Sequence, residues 1–394
     1  MKTVCRFAQV KEQFRRGETE SLLSLYDPTA LVIDLPDTTP FSFITFSSHS
    51  AARIVLKRSS LMLYMAEYLC QAQSLDALLE SVRVKSAQNL FEKWRHASFK
   101  FEVDSFGKSL EQREQVTLID RFSFLPLHGP IRMKNPQVTF VLGIDQARSL
   151  FYFGIKLGES MRGEMDSFSL KKRMYLGTTS MEAELSFVMC NLARLRPGDL
   201  VYDPFVGTGS ILYIAAYLGA YTIGSDIDGR QLRGTTKGKI AAGQSLHSNL
   251  QQYGLHLTAG LVCDFTQHPW RGGEWFDAIV CDPPYGIRAG AKRIAQTAHR
   301  RDVPRELYGQ LYPTTRPYDI DDLIPDLLTF AHHLIKPDGR LVFWYPEEYS
   351  GGDEQLPLAP QKCHQHSGFT LLYAMPQKIQ LMIRWLMVYQ KTSK

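Results

Sequence analysis

The chain of 394 residues carries 45 Lys and Arg against 40 Asp and Glu, and 44% of its residues are hydrophobic. This composition excludes a disordered or collagen-like chain, and the length predicts two or three domains at ~150 residues each. Six scattered cysteines without a CxxC pair argue against a disulfide scaffold or a zinc ribbon. The scattered cysteines and the lack of an apolar signal-peptide stretch near residue 1 together favour a cytosolic or nuclear protein. We take the cytoplasm as the expected location.

The first part of the chain alternates short β-like runs with helical ones, which is typical of an α+β module. We predict this module over residues 1–155, followed by a linker over 156–175. Its predicted strands are 30–35, 41–46, 98–104 and 139–144, and its predicted helices are 50–69, 75–82 and 112–122. The helix at 50–69 is predicted because Ile54, Met62, Met65 and Leu69 fall on one helical face.

Residues 176–394 alternate strand and helix patterns, which predicts a Rossmann-like, doubly wound parallel sheet of the α/β class. The predicted strands are 200–202, 221–224, 278–281, 341–344 and 384–389, and the predicted helices are 210–218 and 320–335, preceded by one that ends at 196. Thr179 and Glu182 resemble a capping box for that earlier helix. The uncharged stretch 204–225 is long enough to cross a bilayer, but its proline and glycines favour a loop, a helix and a strand.

A glycine-containing loop follows the first strand of this sheet, where ligands bind in doubly wound folds. It comprises Asp203, Pro204, Phe205, Gly207 and Gly209. A dinucleotide site usually has a third glycine or alanine at the position of Leu212. Instead, an acidic residue precedes the loop and suits an ammonium group, while the amides of the following helix suit a carboxylate. Because S-adenosylmethionine carries both groups, the loop predicts a site for that cofactor.

Two further carboxylates extend the predicted cofactor site. Asp226 ends the second strand and is placed to accept both hydroxyls of a ribose, and Asp264 follows the apolar run 260–263 and could accept the amine of adenine. A Gly-x-Gly turn alone is common at strand–helix junctions. Together with Asp226 and the alternating pattern, it favours cofactor binding.

The strongest signal is the tetrad Asp282, Pro283, Pro284 and Tyr285, which follows the run 276–281. Two prolines stiffen the turn and direct its carbonyl groups outward. A carboxylate and a carbonyl can accept the two N–H groups of an aromatic amine, and so turn its lone pair towards a methyl sulfonium. Tyr285 is predicted to stack on the substrate ring. The alternative is a proline turn that merely closes a strand.

A polar, basic stretch from residue 286 to 318 follows the tetrad and predicts contact with substrate phosphates. It holds Arg288, Lys292, Arg293, Arg300, Arg301, Arg305 and Arg316. In the N-terminal module, an RNA-facing patch is predicted from Lys57, Arg58, Lys100, Lys108, Arg121, Arg132 and Lys134. Each of these residues could instead be an ordinary solvated side chain. The Cys363–His366 cluster and the pair His332–His333 lack metal-ligand spacing, so no metal is expected.

Five motifs together resemble the catalytic subunit of the eukaryotic and archaeal tRNA guanine-10 N2-methyltransferases. They are KKRMYLGTTSM at 171–181, DPFVGTG at 203–209, GSDID at 224–228, NLQQYG at 249–254 and DPPYGIRAG at 282–290. The resemblance implies a THUMP RNA-binding domain before the catalytic domain, and NPQVTFV at 135–141 is similar to a strand entry of that module. It further implies methyl transfer from S-adenosylmethionine to N2 of guanosine 10, and a small zinc-binding activator subunit that pairs with an edge of the catalytic sheet.

Four other functions fit parts of the pattern. The tetrad is shared with DNA or RNA adenine-N6 methyltransferases and with rRNA guanine-N2 methyltransferases, because all of these substrates are ring amines. Protein glutamine methylation is disfavoured, since Asp282 would more typically be Asn for an amide acceptor. A non-catalytic RNA-binding subunit would bind no cofactor in the glycine loop.

Overall fold

A computed structural model describes residues 1–177, 180–229, 232, 235–236, 239–240, 245–256, 258–285, 291–294, 315–349, 356–379 and 382–393. The chain divides into two compact units, residues 1–163 and residues 164–394. Among the described residues, no helix is both long and apolar enough to cross a membrane.

The first unit is built on one seven-stranded sheet. Its strands are β1 (Lys2–Phe7), β2 (Leu31–Asp34), β3 (Phe41–Thr45), β4 (Met62–Ala72), β5 (Phe99–Phe106), β6 (Val138–Asp145) and β7 (Leu150–Glu159). Its helices are α1 (Arg15–Tyr26), α2 (His49–Arg58), α3 (Leu75–Ala87) and α4 (Gln112–Asp120). The order across the sheet is β2-β3-β1-β4-β7-β6-β5, antiparallel except for the pair β5 and β6. The predicted module limit at residue 155 lies inside β7.

Closely packed aromatic rings form a core on this sheet. The rings of Phe122 and Phe153 stack with centroids 4.7 Å apart, and Phe101 lies 5.2 Å from Phe140. Phe140 and Phe153 are fully buried. Since each of these side chains buries a large apolar area, they hold β5, β6 and β7 against α4 and its following turn.

The predicted helix over residues 50–69 is wrong beyond Arg58, because the chain turns there into β4. The carboxylate of Glu18, fully buried, accepts hydrogen bonds from Ser59 Oγ at 2.7 Å and from the Leu61 amide at 3.1 Å. Met62 and Met65 are buried on β4, whereas Ile54 is 46% exposed. The apolar spacing resembled a helical face because β4 is an interior strand whose side chains are buried on both sides of the sheet.

The second unit holds the sheet predicted for residues 176–394. Its main strands are β8 (Leu200–Asp203), β9 (Tyr221–Asp226), β12 (Ala259–Val262), β13 (Phe276–Cys281), β16 (Ile335–Glu348), β17 (Phe369–Ile379) and β18 (Met382–Lys391). Two short antiparallel pairs are β10 (Thr235–Thr236) with β11 (Lys239–Ile240), and β14 (Lys292–Ile294) with β15 (Thr315–Pro317). Its helices are α5 (Arg162–Met165, shared with the end of the first unit), α6 (Ala183–Leu192), α7 (Ser210–Tyr217), α8 (Leu246–Gln252) and α9 (Ile320–Leu334).

The order of strands in this sheet is β12-β9-β8-β13-β16-β18-β17. The strands from β12 to β16 are parallel, and β18 runs antiparallel to both β16 and β17. The chain proceeds outward from β8 to β9 and β12 and then crosses back to β13. The carboxyl ends of β8 and β13 therefore flank the switch point, where doubly wound sheets bind their ligands.

The core of the second unit is formed by apolar side chains of α9 against the sheet. Leu327 and Ala331 are fully buried against strands β13 and β16. The helix begins at an N-cap, Asp319, whose side chain accepts from the Asp321 amide, and Pro325 lies in its second turn. The predicted capping residue Thr179 lies outside the described residues, and α6 begins after Glu182 and ends at Leu192, before the predicted position.

Candidate active site

The glycine loop connects β8 to α7 in a backbone conformation that glycine permits. Gly207 has a φ of 48° and Gly209, the N-cap of α7, has a φ of 87°. A Cβ at Gly209 would lie 2.9 Å from Leu246 and 3.0 Å from Tyr213. Close packing of α8 against the start of α7 therefore requires glycine here. The first amides of α7 lack carbonyl partners within the helix, so this end can bind an anion.

Asp226 ties the loop to the end of β9. Its Oδ2 accepts the Gly207 amide at 3.0 Å, and its Oδ1 accepts the Asp228 amide at 2.8 Å. The Val206 amide donates to the Ser225 carbonyl at 2.8 Å, which adds a backbone contact between loop and strand. Burial raises the pKa of Asp226 to about 6. The predicted loop residues and Asp226 thus lie together at one edge of the sheet.

Three carboxylates gather at the carboxyl ends of β8, β9 and β13. Asp203 is 2% exposed, and its Oδ1 accepts the Phe205 amide at 2.9 Å. Burial raises the pKa of Asp203 well above its usual range, and the negative charges of Asp226 and Asp282 raise it further. Such a cluster favours a positively charged ligand, because a cation restores the charged form of each acid.

The tetrad lies directly after β13, at the switch point. Asp282 and Tyr285 are half-buried, Pro283 is buried, and the Tyr285 hydroxyl donates to Asp282 Oδ1. Burial raises the pKa of Asp282 to about 7. A carboxylate with this pKa is poised to accept a proton near neutral pH.

Arg384 on β18 is a charged neighbour of the tetrad that sequence reasoning missed. Its guanidinium lies 4.0 Å from the centroid of the Trp344 ring and donates to Gln377 Oε1 at 2.8 Å. Its positive charge lowers the pKa of Asp282, against the effect of burial. A single arginine in a largely apolar strand gave no signal in the sequence, because only the pairing of β18 with β16 brings it here.

Asp264 follows β12, as predicted, and both of its carboxylate oxygens have partners. Oδ1 accepts the Thr266 amide at 2.9 Å, and Oδ2 accepts the Ile294 amide of β14 at 2.8 Å. Asp264 is 3% exposed and therefore anchors β14 at this edge of the sheet. Its predicted contact with adenine stays a prediction.

The basic residues after the tetrad are only partly described. Lys292 is exposed on β14, and the guanidinium of Arg293 lies 4.8 Å from the centroid of the Tyr318 ring. Arg316 is exposed on β15. The predicted substrate residue Arg288 lies outside the described residues, as do Arg300, Arg301 and Arg305.

The basic residues predicted to face RNA in the first unit have different surroundings. Lys100 forms an ion pair with Glu102 at 2.6 Å, whereas Lys134 and Arg132 are exposed in the loop before β6. Lys108 and Arg121 pair with Glu114 and Asp76. Lys57 is exposed and Arg58 is buried on α2, where they line a cavity together with Tyr26 and Arg53.

Among the described residues, no three His, Cys, Asp or Glu side chains are grouped so that they could hold a metal ion, and this includes the carboxylates of Asp203, Asp226 and Asp282. The site itself combines a carboxylate cluster, a helix N-terminus and a half-buried acid on a stiff turn. The carboxylates suit a ligand with a sulfonium and an ammonium group, and the helix amides suit a carboxylate. This donor set fits S-adenosylmethionine.

Two family models match the chain. The model described as "Tmrp11 THUMP N-terminal domain" matches residues 1–147, and the one described as "RMKL-like, methyltransferase domain" matches residues 171–303. The first match lies within the first unit and the second within the second unit.

Several curated proteins are similar to the chain over most of its length. A tRNA (guanine(10)-N(2))-methyltransferase of Schizosaccharomyces pombe is 36% identical, with 92% of this chain and 76% of the relative covered. The protein of the same name from Saccharomyces cerevisiae is 34% identical, with 97% and 91% covered. The human tRNA (guanine(10)-N(2))-methyltransferase TRMT11 is 33% identical, with 90% and 81% covered.

Proposed function

The chain belongs to the family of tRNA (guanine(10)-N(2))-methyltransferases, and we infer that it transfers a methyl group to the exocyclic N2 of guanosine 10 in tRNA. The similarity runs through both units, so it includes the THUMP domain as well as the methyltransferase domain. Adenine-N6 methylation, which the tetrad alone allowed, is therefore the weaker interpretation.

We propose S-adenosylmethionine as the methyl donor, and the single observation that carries this is the carboxylate cluster of Asp203, Asp226 and Asp282. In this assignment Asp226 accepts the ribose hydroxyls, and Asp203 faces the ammonium group. Pro204, Phe205, Gly207 and Gly209 shape the loop around the methionine part, and Asp264 lies on the adenine side. When bound, the cofactor supplies a methyl group that is activated by a sulfonium.

Asp282 is the proposed catalytic residue. Its carboxylate accepts one N–H of the guanine amine, and the backbone of Pro283 and Pro284 supplies a carbonyl acceptor for the other. Both contacts turn the nitrogen lone pair towards the methyl carbon. As the N–C bond forms and the S–C bond breaks, positive charge develops on the nitrogen, and the carboxylate stabilises it before taking up the proton. The stiff turn keeps the acceptors in place, which supports in-line attack.

Tyr285 and the basic residues are proposed to bind the tRNA. Tyr285 stacks on the extruded guanine ring, and Arg288, Lys292 and Arg293 contact phosphates near it. In the first unit, Lys134 and Lys100 are the proposed contacts. Lys134 is exposed and so can reach a phosphate directly, whereas Lys100 must exchange its ion pair with Glu102.

The proposed partner is a small zinc-binding activator subunit that pairs with an edge of the catalytic sheet. The two edge strands are β12 and β17. The apolar side chain of Val262 on β12 is 56% exposed, and a partner strand could cover it. The cytoplasmic location also stays a prediction.

The experiment is methyl transfer from labelled S-adenosylmethionine, with the chain purified together with its activator. We expect label in tRNA with guanosine at position 10, and loss of label when that nucleotide alone is changed to adenosine. Duplex DNA serves as the competing substrate. Label on DNA alone, or undiminished label on the changed tRNA, would contradict the proposal.

A further inference from the structure

A short segment before α6 is clamped to α8 by two side-chain amides. Asn249, fully buried, accepts the Tyr175 amide at 2.8 Å and donates to the Tyr175 carbonyl at 2.8 Å. Gln252 also forms two bonds with the backbone of this segment: it accepts the Met174 amide at 2.9 Å and donates to the Lys172 carbonyl at 2.6 Å. Because these two amides lie three positions apart on one helical face, they fix the backbone on both sides of Arg173.

The clamp directs Arg173 towards the start of α7. Its side chain is inside the protein, with the residue 5% exposed, and Nη1 donates to Ser210 Oγ at 2.7 Å. The guanidinium carbon lies 5.0 Å from the centroid of the Tyr213 ring. Ser210 is the first residue of α7, so a full positive charge adjoins the helix N-terminus that follows the glycine loop.

Among the residues that the structure describes, two of the three guanidinium nitrogens of Arg173 have no hydrogen-bond acceptor. Within the described part of the chain, Nε and Nη2 are buried and have no hydrogen-bond partner, and no carboxylate pairs with the side chain. Buried N–H groups of a charged guanidinium that are left without an acceptor are destabilising. The helix N-terminus beside it also attracts negative charge. Both features favour the binding of a small anion at this position.

We propose that Arg173 binds the α-carboxylate of the methionine part of S-adenosylmethionine, together with the first amides of α7. This inference rests on the proposed cofactor. The planar guanidinium offers Nε and Nη2 side by side, a geometry that matches the two oxygens of a carboxylate. Asn249 and Gln252 are then positioning residues, since they hold Arg173 and do not touch the ligand.

The test compares two ligands that differ only in this group, S-adenosylmethionine and its decarboxylated form, by titration calorimetry on the full chain purified together with its proposed activator. We expect Arg173→Met to weaken binding of S-adenosylmethionine at least tenfold and to change binding of the decarboxylated form by less than threefold. Arg173→Lys keeps the charge but loses the two-point contact, so it should weaken only S-adenosylmethionine, and by less. This variant also serves as the test if the methionine variant does not fold.

The matched control is Arg340→Met, because Arg340 is also buried, 4% exposed, and donates to the Leu192 carbonyl. It should leave the ratio of the two affinities unchanged. Equal weakening of both ligands by Arg173→Met, or no weakening of either, would overturn the assignment of Arg173 alone. If the unaltered chain binds neither ligand, the proposed cofactor itself fails, and the assignment fails with it.

Discussion

Asp282 owes its proposed reactivity to two opposing influences on one carboxyl group. Burial raises its pKa to about 7, while the guanidinium of Arg384 acts in the opposite direction. Removal of that guanidinium leaves burial unopposed. The acid then holds its proton to higher pH and is less often available as an acceptor at neutrality.

We therefore expect Arg384→Met to shift the pH dependence of transfer. In the unaltered protein, kcat/KM for tRNA should rise with pH and level off above an inflection near pH 7. In the variant the inflection should lie at higher pH, so the loss of activity should be large at pH 6.5 and small at pH 8.5. Arg384→Lys, which keeps a positive charge, is the control. An unchanged inflection in the methionine variant would show that Arg384 does not act on Asp282.

Asp282→Ala should abolish methyl transfer and leave affinity for the cofactor within about tenfold, because its contact with the amine matters mainly in the transition state. Single-turnover transfer and equilibrium binding of S-adenosylmethionine measure the two effects separately. A large loss of affinity would mean that Asp282 serves the cofactor first.

The two functions of Tyr285 can be separated by substitution. Its ring is the proposed stacking surface, and its hydroxyl donates to Asp282. Tyr285→Phe keeps the ring and should retain most of the turnover on tRNA, whereas Tyr285→Ala should lower turnover by roughly 5- to 150-fold, as expected for a stacking contact of ~1–3 kcal/mol. Steady-state assays on both variants decide the matter, and full activity of the alanine variant would exclude a stacking role.

At the scale of elements, the start of α7 depends on a glycine with positive φ. Gly209→Ala should lower the free energy of unfolding by about 1–3 kcal/mol, because alanine is strained at this φ and its Cβ would press on Leu246 and Tyr213. Urea unfolding measures the loss, and affinity for S-adenosylmethionine should fall as well. Gly272→Ala is the matched control, since a Cβ there meets nothing within 4 Å. Equal stability of the two variants would contradict the expected strain.

The elements that the sequence predicted best are those with local signals. The strand–loop–helix around Gly207 and the strand before Asp282 were found near their predicted positions, because glycines, prolines and apolar runs mark them directly. The helix predicted over 50–69 is confirmed up to Arg58 and wrong beyond it, because its end is set by Glu18, which contacts Ser59 across some forty residues of sequence. A contact between residues so far apart does not show in the periodic pattern of apolar residues along the sequence.

The residues of the candidate site also divide into those with a local sequence signal and those without one. The loop residues, Asp226 and the tetrad could be predicted from motifs. The positions of Arg384 and of the proposed carboxylate ligand Arg173 could not be predicted, because each depends on tertiary pairing. Arg384 is placed by the antiparallel register of β16 and β18, and Arg173 by the side-chain amides of α8. A function can thus be recognised from the sequence while some of the charges that support it stay hidden.

At the scale of the whole molecule, stability should depend on pH through the acids of the site. The pKa values of Asp226 and Asp282 rise from 3.8 to about 6 and about 7 on folding. The stabilisation from their protonated forms is complete below pH 3.8 and is lost as pH rises through 6 to 7.

Asp282→Asn removes the titrating group and keeps its shape. We therefore expect this variant to be more stable than the unaltered protein at pH 8, with a smaller difference at pH 5. Urea unfolding at both pH values measures the two differences. A gain that is the same at both pH values would show that ionisation of Asp282 does not oppose folding.

The gathering of acids at the switch point also bears on what happens after the reaction. In the proposed reaction, the methyl donor would arrive with a positively charged sulfur and leave as a neutral thioether, while the guanine nitrogen would lose one proton. Carboxyl groups with raised pKa values can keep that proton, so the net charge of the pocket and its ligand would stay the same. The protonated acids would then attract the neutral product less strongly than the charged acids attracted the donor. Under the proposed assignment, the same acids that bind the methyl donor would therefore favour release of the demethylated product.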